Sequence, residues 1–121
     1  MDTRELTTRY YASLNAKDDA WKSMWAEGAV FSDASRTLTA EGWQAVIASF
    51  DPFVKGVAAV SVVDSIVEGL KACFVVRYTY ENQKSETLVQ DVAEVWETDG
   101  EKLSSLTIYF DLTAYRSFMR G

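Results

Sequence analysis

The sequence predicts an α+β domain in which helices come first and a strongly bent antiparallel sheet follows. Three observations carry that expectation. Early in the chain Leu6, Tyr10 and Leu14 recur at a spacing of four, the period of one helix face. From Val57 onward, apolar and polar residues alternate over strand-length segments separated by turn-forming residues. The 121 residues, 48% of them hydrophobic, can bury one core and no more, and neither a linker nor a repeat divides them, so residues 1–121 read as a single domain.

Each element has a local reason. Asp2 followed by Glu5 opens the first helix, which turns Tyr10 inward. Asp18 can cap a second, short helix carrying Trp21, Met24 and Trp25, with Gly28 where it would stop. Ala29–Asp33 and the residues around Arg36-Thr37-Leu38 read as short strands. Thr39 is placed to cap a third helix bearing Trp43, Val46, Ile47 and Phe50, which Asp51-Pro52 weakens or ends. Val57–Glu68, Ala72–Asn82, Glu86–Glu97 and Lys102–Phe110 are the long strands, with Asp99-Gly100 the strongest hairpin signal between them. A last helix, Leu112–Arg120, can be capped by Asp111. Helices laid over the apolar face of a bent sheet give a cone with a pocket inside.

Composition excludes more chemistry than it suggests. There is no histidine, which removes Ser-His-Asp and Cys-His catalysis, an imidazole shuttle and histidine-ligated metal; no metal site is expected. The six glycines have neither dinucleotide nor P-loop spacing, so no cofactor is expected. A net charge of −6 without a basic run argues against nucleic acid as a partner. No apolar stretch reaches membrane-spanning length, the opening Met1–Glu5 is polar, and the single Cys73 cannot form an internal disulfide. The expected setting is the cytoplasm, with no membrane contact.

The strand Leu88–Trp96 supplies the main functional expectation. If Gln90 and Glu94 mark its wet face, Asp91 falls with Val89, Ala93 and Val95 on the apolar one. A carboxylate there is costly unless paired or protonated, which makes it a candidate working residue with a raised pKa. On the same reading Val75, Thr79, Val92 and Trp96 interrupt a polar outer face, and a homodimer formed sheet to sheet is expected.

Three stretches together resemble the SnoaL-like and ketosteroid-isomerase-like members of the NTF2-like superfamily, whose fold is the cystatin-like cone. They are Arg9-Tyr10-Tyr11-Ala12-Ser13-Leu14 with Asp18, Trp25–Asp33, and Asp91-Val92 with Asp99-Gly100 and Tyr109-Phe110-Asp111. In ketosteroid isomerases an aspartate moves a proton between carbons while a tyrosine and a neutral aspartic acid hydrogen-bond the enolate oxygen. The resemblance implies Tyr10 as that tyrosine, Asp33 as the proton-moving group and Asp91 as the third member. Trp25, Phe50, Phe74, Tyr78, Tyr109 and Asp111 are then the expected ligand-binding residues. A limonene-epoxide-hydrolase-like arrangement would pair Asp91 with Asp111, but Val89 stands where that family has an arginine. The implied activity is a cofactor-independent isomerase or cyclase acting on a small hydrophobic carbonyl compound, polyketide-like or steroid-like. The alternative is a binding or dimerisation module that keeps the cavity without the chemistry.

Overall fold

The Asp2 carboxylate accepts a hydrogen bond from the Glu5 amide at 2.8 Å and opens helix α1, Thr3–Ala16, in a computed structural model describing residues 1–121. The predicted second helix shrinks to one 3-10 turn, Ala20–Ser23, and Trp25 instead starts strand β1, Trp25–Asp33. The predicted strand at Arg36–Leu38 is a bend, and Thr39 lies in a three-residue strand, β2 (Thr39–Glu41). Gly42, at φ 89°, then leads into helix α2, Trp43–Lys55. Pro52 does not end α2. Burying Phe53 and Val54, the two residues directly after it, against the core outweighs the backbone bond that proline cannot make.

Strands β3 (Val57–Glu68), β4 (Lys71–Glu81), β5 (Thr87–Thr98) and β6 (Leu103–Tyr109) follow the predicted order, with helix α3, Leu112–Arg120, last. The six-stranded order is β2-β1-β6-β5-β4-β3, and every pairing is antiparallel except β1 with β6. The sheet is therefore mixed where a purely antiparallel one was expected. Register shifts at Val57/Ala59 and Val62/Asp64 in β3, and at Glu97/Thr98 against β6, let it bend. Helix α1 lies against β3 and β4 and helix α2 against β1, and the core fills the concave side between them. No helix is long and apolar enough to cross a membrane.

The predicted alternation in β5 is present, but the faces are exchanged. Val92, Glu94, Trp96 and Thr98 are buried on the concave side, and Asp91 faces outward. Asp91 lies opposite Arg77 in the β4–β5 register, and the guanidinium grips it at two points, Nε to Oδ1 at 2.8 Å and Nη2 to Oδ2 at 3.0 Å. That contact holds the Asp91 carboxyl below the usual carboxylate range, the reverse of the expected raised pKa. The reason is weight of apolar surface. The indole of Trp96 shares a face with Glu94 and outbids Val89, Ala93 and Val95 for the interior, and a one-residue difference in phase turns every side chain over. Val92 and Trp96 are correspondingly not part of the outer surface.

Candidate functional site

Glu94 is the buried carboxyl that Asp91 was expected to be. It is 1% exposed, stands between Phe74 of β4 and Ile108 of β6 in the sheet, and is reached by two tyrosines. Tyr11 of α1 donates its hydroxyl to Oε1 at 2.6 Å, and Tyr78 donates to Oε1 and Oε2 at 3.0 and 3.1 Å. Trp96 donates its indole N–H to the Tyr11 oxygen at 2.8 Å, so the Tyr11 proton is left to point at Glu94. Burial pushes the Glu94 carboxyl from its ordinary 4.5 up to about 7, and the two tyrosine bonds, which favour the anion, only partly oppose this. Burial, and then the nearby Glu94 charge, push Tyr11 and Tyr78 up as well, so both remain O–H donors at neutral pH.

Behind Glu94 is a wall of aromatic rings. Tyr10 packs edge-on to Trp96 at 4.8 Å between ring centres and to Trp25 at 5.9 Å. In front of it opens a cavity of about 200 Å³ between the sheet, α2 and α3. Tyr78, Tyr80, Val92 and Glu94 form its floor, and Phe31, Phe50, Phe53, Ile108, Phe110 and Tyr115 its sides. Tyr80 stacks on Tyr78 with ring centres 5.7 Å apart and 11° between planes, and its fully buried hydroxyl has no hydrogen-bond partner. The exposed wall residues are Ser49 and Pro52 of α2 and Arg116 of α3, which places the mouth between those two helices.

Of the expected ligand-binding residues, Phe50 and Tyr78 line this cavity. Trp25 and Phe74 are core residues behind it, against Phe50 and Tyr11 respectively, and Tyr109 is half exposed on the outer face. Asp111 caps α3, accepting from the Ala114 amide at 2.9 Å. Tyr10 is buried as expected, in the aromatic wall and not in the cavity lining. Asp33 is also buried, but its carboxylate closes its own loop: the Leu38 amide donates to Oδ1 at 2.8 Å and the Ser35 hydroxyl to Oδ2. Burial raises the Asp33 pKa, yet the Ser35 and Leu38 bonds outweigh it and leave a firm anion. Tyr10, Asp33 and Asp91 therefore do not converge.

The residues that do converge were legible only in part. Trp96 and Glu94 share a face two residues apart, and Thr3, Thr7 and Tyr11 form a second helical row beside Leu6, Tyr10 and Leu14. Alternation along β4 places Tyr80 on the apolar face with Phe74, Val76 and Tyr78, but nothing local marks its hydroxyl as unpartnered, and no local pattern distinguishes Arg116.

The fold agrees with solved structures. A candidate SnoaL-like polyketide cyclase from Jannaschia sp. CCS1 superposes with a TM-score of 0.81 at 17% identity, covering 97% of this chain and 90% of that one. A candidate isomerase from Bacillus subtilis gives 0.82 at 16%, covering 98% and 93%. TerC, co-crystallised with polyporic acid, gives 0.81 at 13%, covering 98% of each chain. Identities this low show the shared fold alone. No curated protein matches the sequence. The sequence model of the SnoaL-like domain matches residues 7–106, from the α1 row that carries Tyr11 to the middle of β6. A helix-capped, bent sheet around an apolar pocket, the fold it shares with NTF2-like proteins, and this match over most of the chain lead to one conclusion: the protein belongs to the SnoaL-like domain family.

Proposed function

We propose that the cavity binds a small hydrophobic carbonyl compound of one or two rings, and that Glu94 moves a proton on it without a cofactor. The observation that carries this is a carboxyl with a pKa of about 7 in the floor of an otherwise apolar pocket. Such a group is half charged near neutral pH, where it can act as base in one step and as acid in the next. Oε1 already accepts from both tyrosines, whereas Oε2 accepts only from Tyr78 and has the freer lone pair. Oε2 would take a proton from a carbon beside the carbonyl and return it at another carbon, an isomerisation that needs no oxidant. The free Tyr80 hydroxyl, on the same floor, is the donor for the developing enolate oxygen. Ligand size follows from volume: a cavity of roughly 150 Å³ accepts benzene, so about 200 Å³ suits one or two rings better than a four-ring steroid. Relatives described as a candidate cyclase and a candidate isomerase, and one crystallised with polyporic acid, support a small organic molecule as partner.

Deuterium incorporation into 2-tetralone in D2O, followed by NMR, tests the chemistry. The wild-type protein is expected to exceed the buffer rate and Glu94→Gln to fall to it. Exchange no faster than buffer, with the ketone bound, rejects catalysis. A non-catalytic binding module is then the reading that stands. One observation favours that second reading: Glu94 is already satisfied by Tyr11 and Tyr78 with no ligand involved.

A homodimer is the remaining part of the proposal. The convex face of the sheet carries Val89 and Tyr109, both more than half exposed, near the Arg77–Asp91 pair, and Ile66, 70% exposed, further along β3 opposite Cys73. Apolar side chains set around a charged cross-strand pair form a surface suited to a second copy of the chain.

A further inference from the structure

We infer that the occupant of the cavity is a hydrophobic organic acid, its carboxylate at the mouth on Arg116 and a second oxygen at the floor on the Tyr80 hydroxyl. This rests on the reading of the cavity as a ligand site, but not on any catalysis there. Three observations lead to it. Arg116 is the one cation among the cavity-lining residues, it is exposed, and it forms no ion pair. The Ser49 hydroxyl stands on the opposite, α2 side of the same mouth, so two hydrogen-bond donors flank the entrance. At the far end the Tyr80 hydroxyl is wholly buried and unpartnered, although buried polar groups almost always find a partner. Between the two ends the walls are Phe31, Phe50, Phe53, Ile108 and Phe110, which offer nothing polar, and Tyr115, whose hydroxyl is the one polar group on the sides.

A ligand that satisfied every group would carry an apolar ring body, an acceptor oxygen at its inner end and an anion at its outer end. A guanidinium prefers a planar carboxylate, which it holds through two parallel N–H bonds. A neutral ketone or alcohol would leave Arg116 without a role. A cation would meet the Arg116 charge on its way in. The chain's net charge of −6 gives no general attraction for anions, so the preference must come from Arg116 itself.

The test is calorimetric binding of 6-hydroxy-2-naphthoate and the one-ring 4-hydroxybenzoate, each against its neutral amide, with 2-naphthoate as the probe lacking the inner oxygen. The better-fitting acid is expected to bind about tenfold more tightly than its amide, with Arg116→Gln removing that advantage and leaving the amide unchanged. Tyr80→Phe should weaken 6-hydroxy-2-naphthoate and not 2-naphthoate. Amides binding as well as acids, an Arg116→Gln protein that keeps the difference, or no binding of either acid at millimolar concentration would overturn the inference. Leu112→Trp, a bulky change at a half-exposed wall position, separates the two levels of the argument. If it abolishes binding of the neutral amides while acids show no preference, the cavity stands and only the anion is wrong. If it changes no binding at all, the compounds sit elsewhere and the cavity reading fails with it.

Discussion

Glu94 holds a proton in the folded state that the unfolded chain releases, and this gives the protein a pH dependence of definite sign. The folded pKa is about 7 and the ordinary one 4.5, so between those values the native state binds more protons than the unfolded state. Its contribution to stability is complete below about pH 4.5, declines as pH rises to about 7, and is flat above, a loss of roughly 3 kcal/mol. Asp18, Asp33, Asp51, Asp91 and Asp99 have lowered pKa values and act in the opposite sense at lower pH. The comparison that isolates Glu94 is therefore wild type against Glu94→Gln in urea unfolding from pH 4.5 to 8. The variant should gain on the wild type as pH rises; a constant difference across the range would show that Glu94 does not titrate there. Tyr11→Phe removes one donor to Glu94 and leaves the Trp96 N–H without its acceptor, and is expected to cost about 1–3 kcal/mol at pH 5, measured in the same way. Asp91→Asn breaks an exposed ion pair outside the cavity, so melting temperature and ligand affinity should both change little.

Helix α3 is the cover of the site and its least buried element, since none of its residues is fully buried. It is tied down at both ends. Asp111 caps its start, and at its end Asn82 Nδ2 donates to the Phe118 carbonyl at 3.1 Å while Lys84 Nζ donates to that of Gly121 at 3.0 Å. Between the ties Tyr115 packs on Tyr80 with ring centres 4.9 Å apart. An element with few buried groups opens at low free energy. Hydrogen exchange should find the α3 amides exchanging well before those of β4 and β5, and slowed when a ligand fills the cavity beneath. Asp111→Ala should cost about 1 kcal/mol, the usual value of an N-cap, and should weaken ligand binding even though Asp111 does not line the cavity; calorimetry and chemical unfolding of one variant check both.

At the scale of the whole molecule, the two faces of one sheet are chemically distinct. The concave face carries the aromatic wall and Glu94, and the convex face carries Ile66, Val89, Tyr109 and the Arg77–Asp91 pair. If the convex face joins two copies, light scattering at micromolar concentration should give twice the 13.6 kDa chain mass. Ile66→Lys, a charge at the most exposed apolar position of that face, should return the monomer without disturbing the cavity. A wild-type protein of 13.6 kDa under those conditions would rule the dimer out.

By itself the sequence determined the element order, the strand alternation, the helix caps at Asp2 and Asp111, and the family. The first three follow from periodicities and capping chemistry that act over a few residues, and the family from the resemblance of three stretches to its members. Tertiary structure decided which face of β5 is buried. That choice depends on Trp96 meeting Tyr10 and Trp25, and on Arg77 waiting opposite Asp91, partners that lie 14 or more positions away along the chain. It also ended the second helix early, since Trp25 packs against Phe50 and Trp96 from a strand. The site was illegible for the same reason. Glu94 becomes a buried acid only where Tyr11 from α1, 83 positions away, and Tyr78 from β4, 16 positions away, bring their hydroxyls to it, and only folding sets those distances.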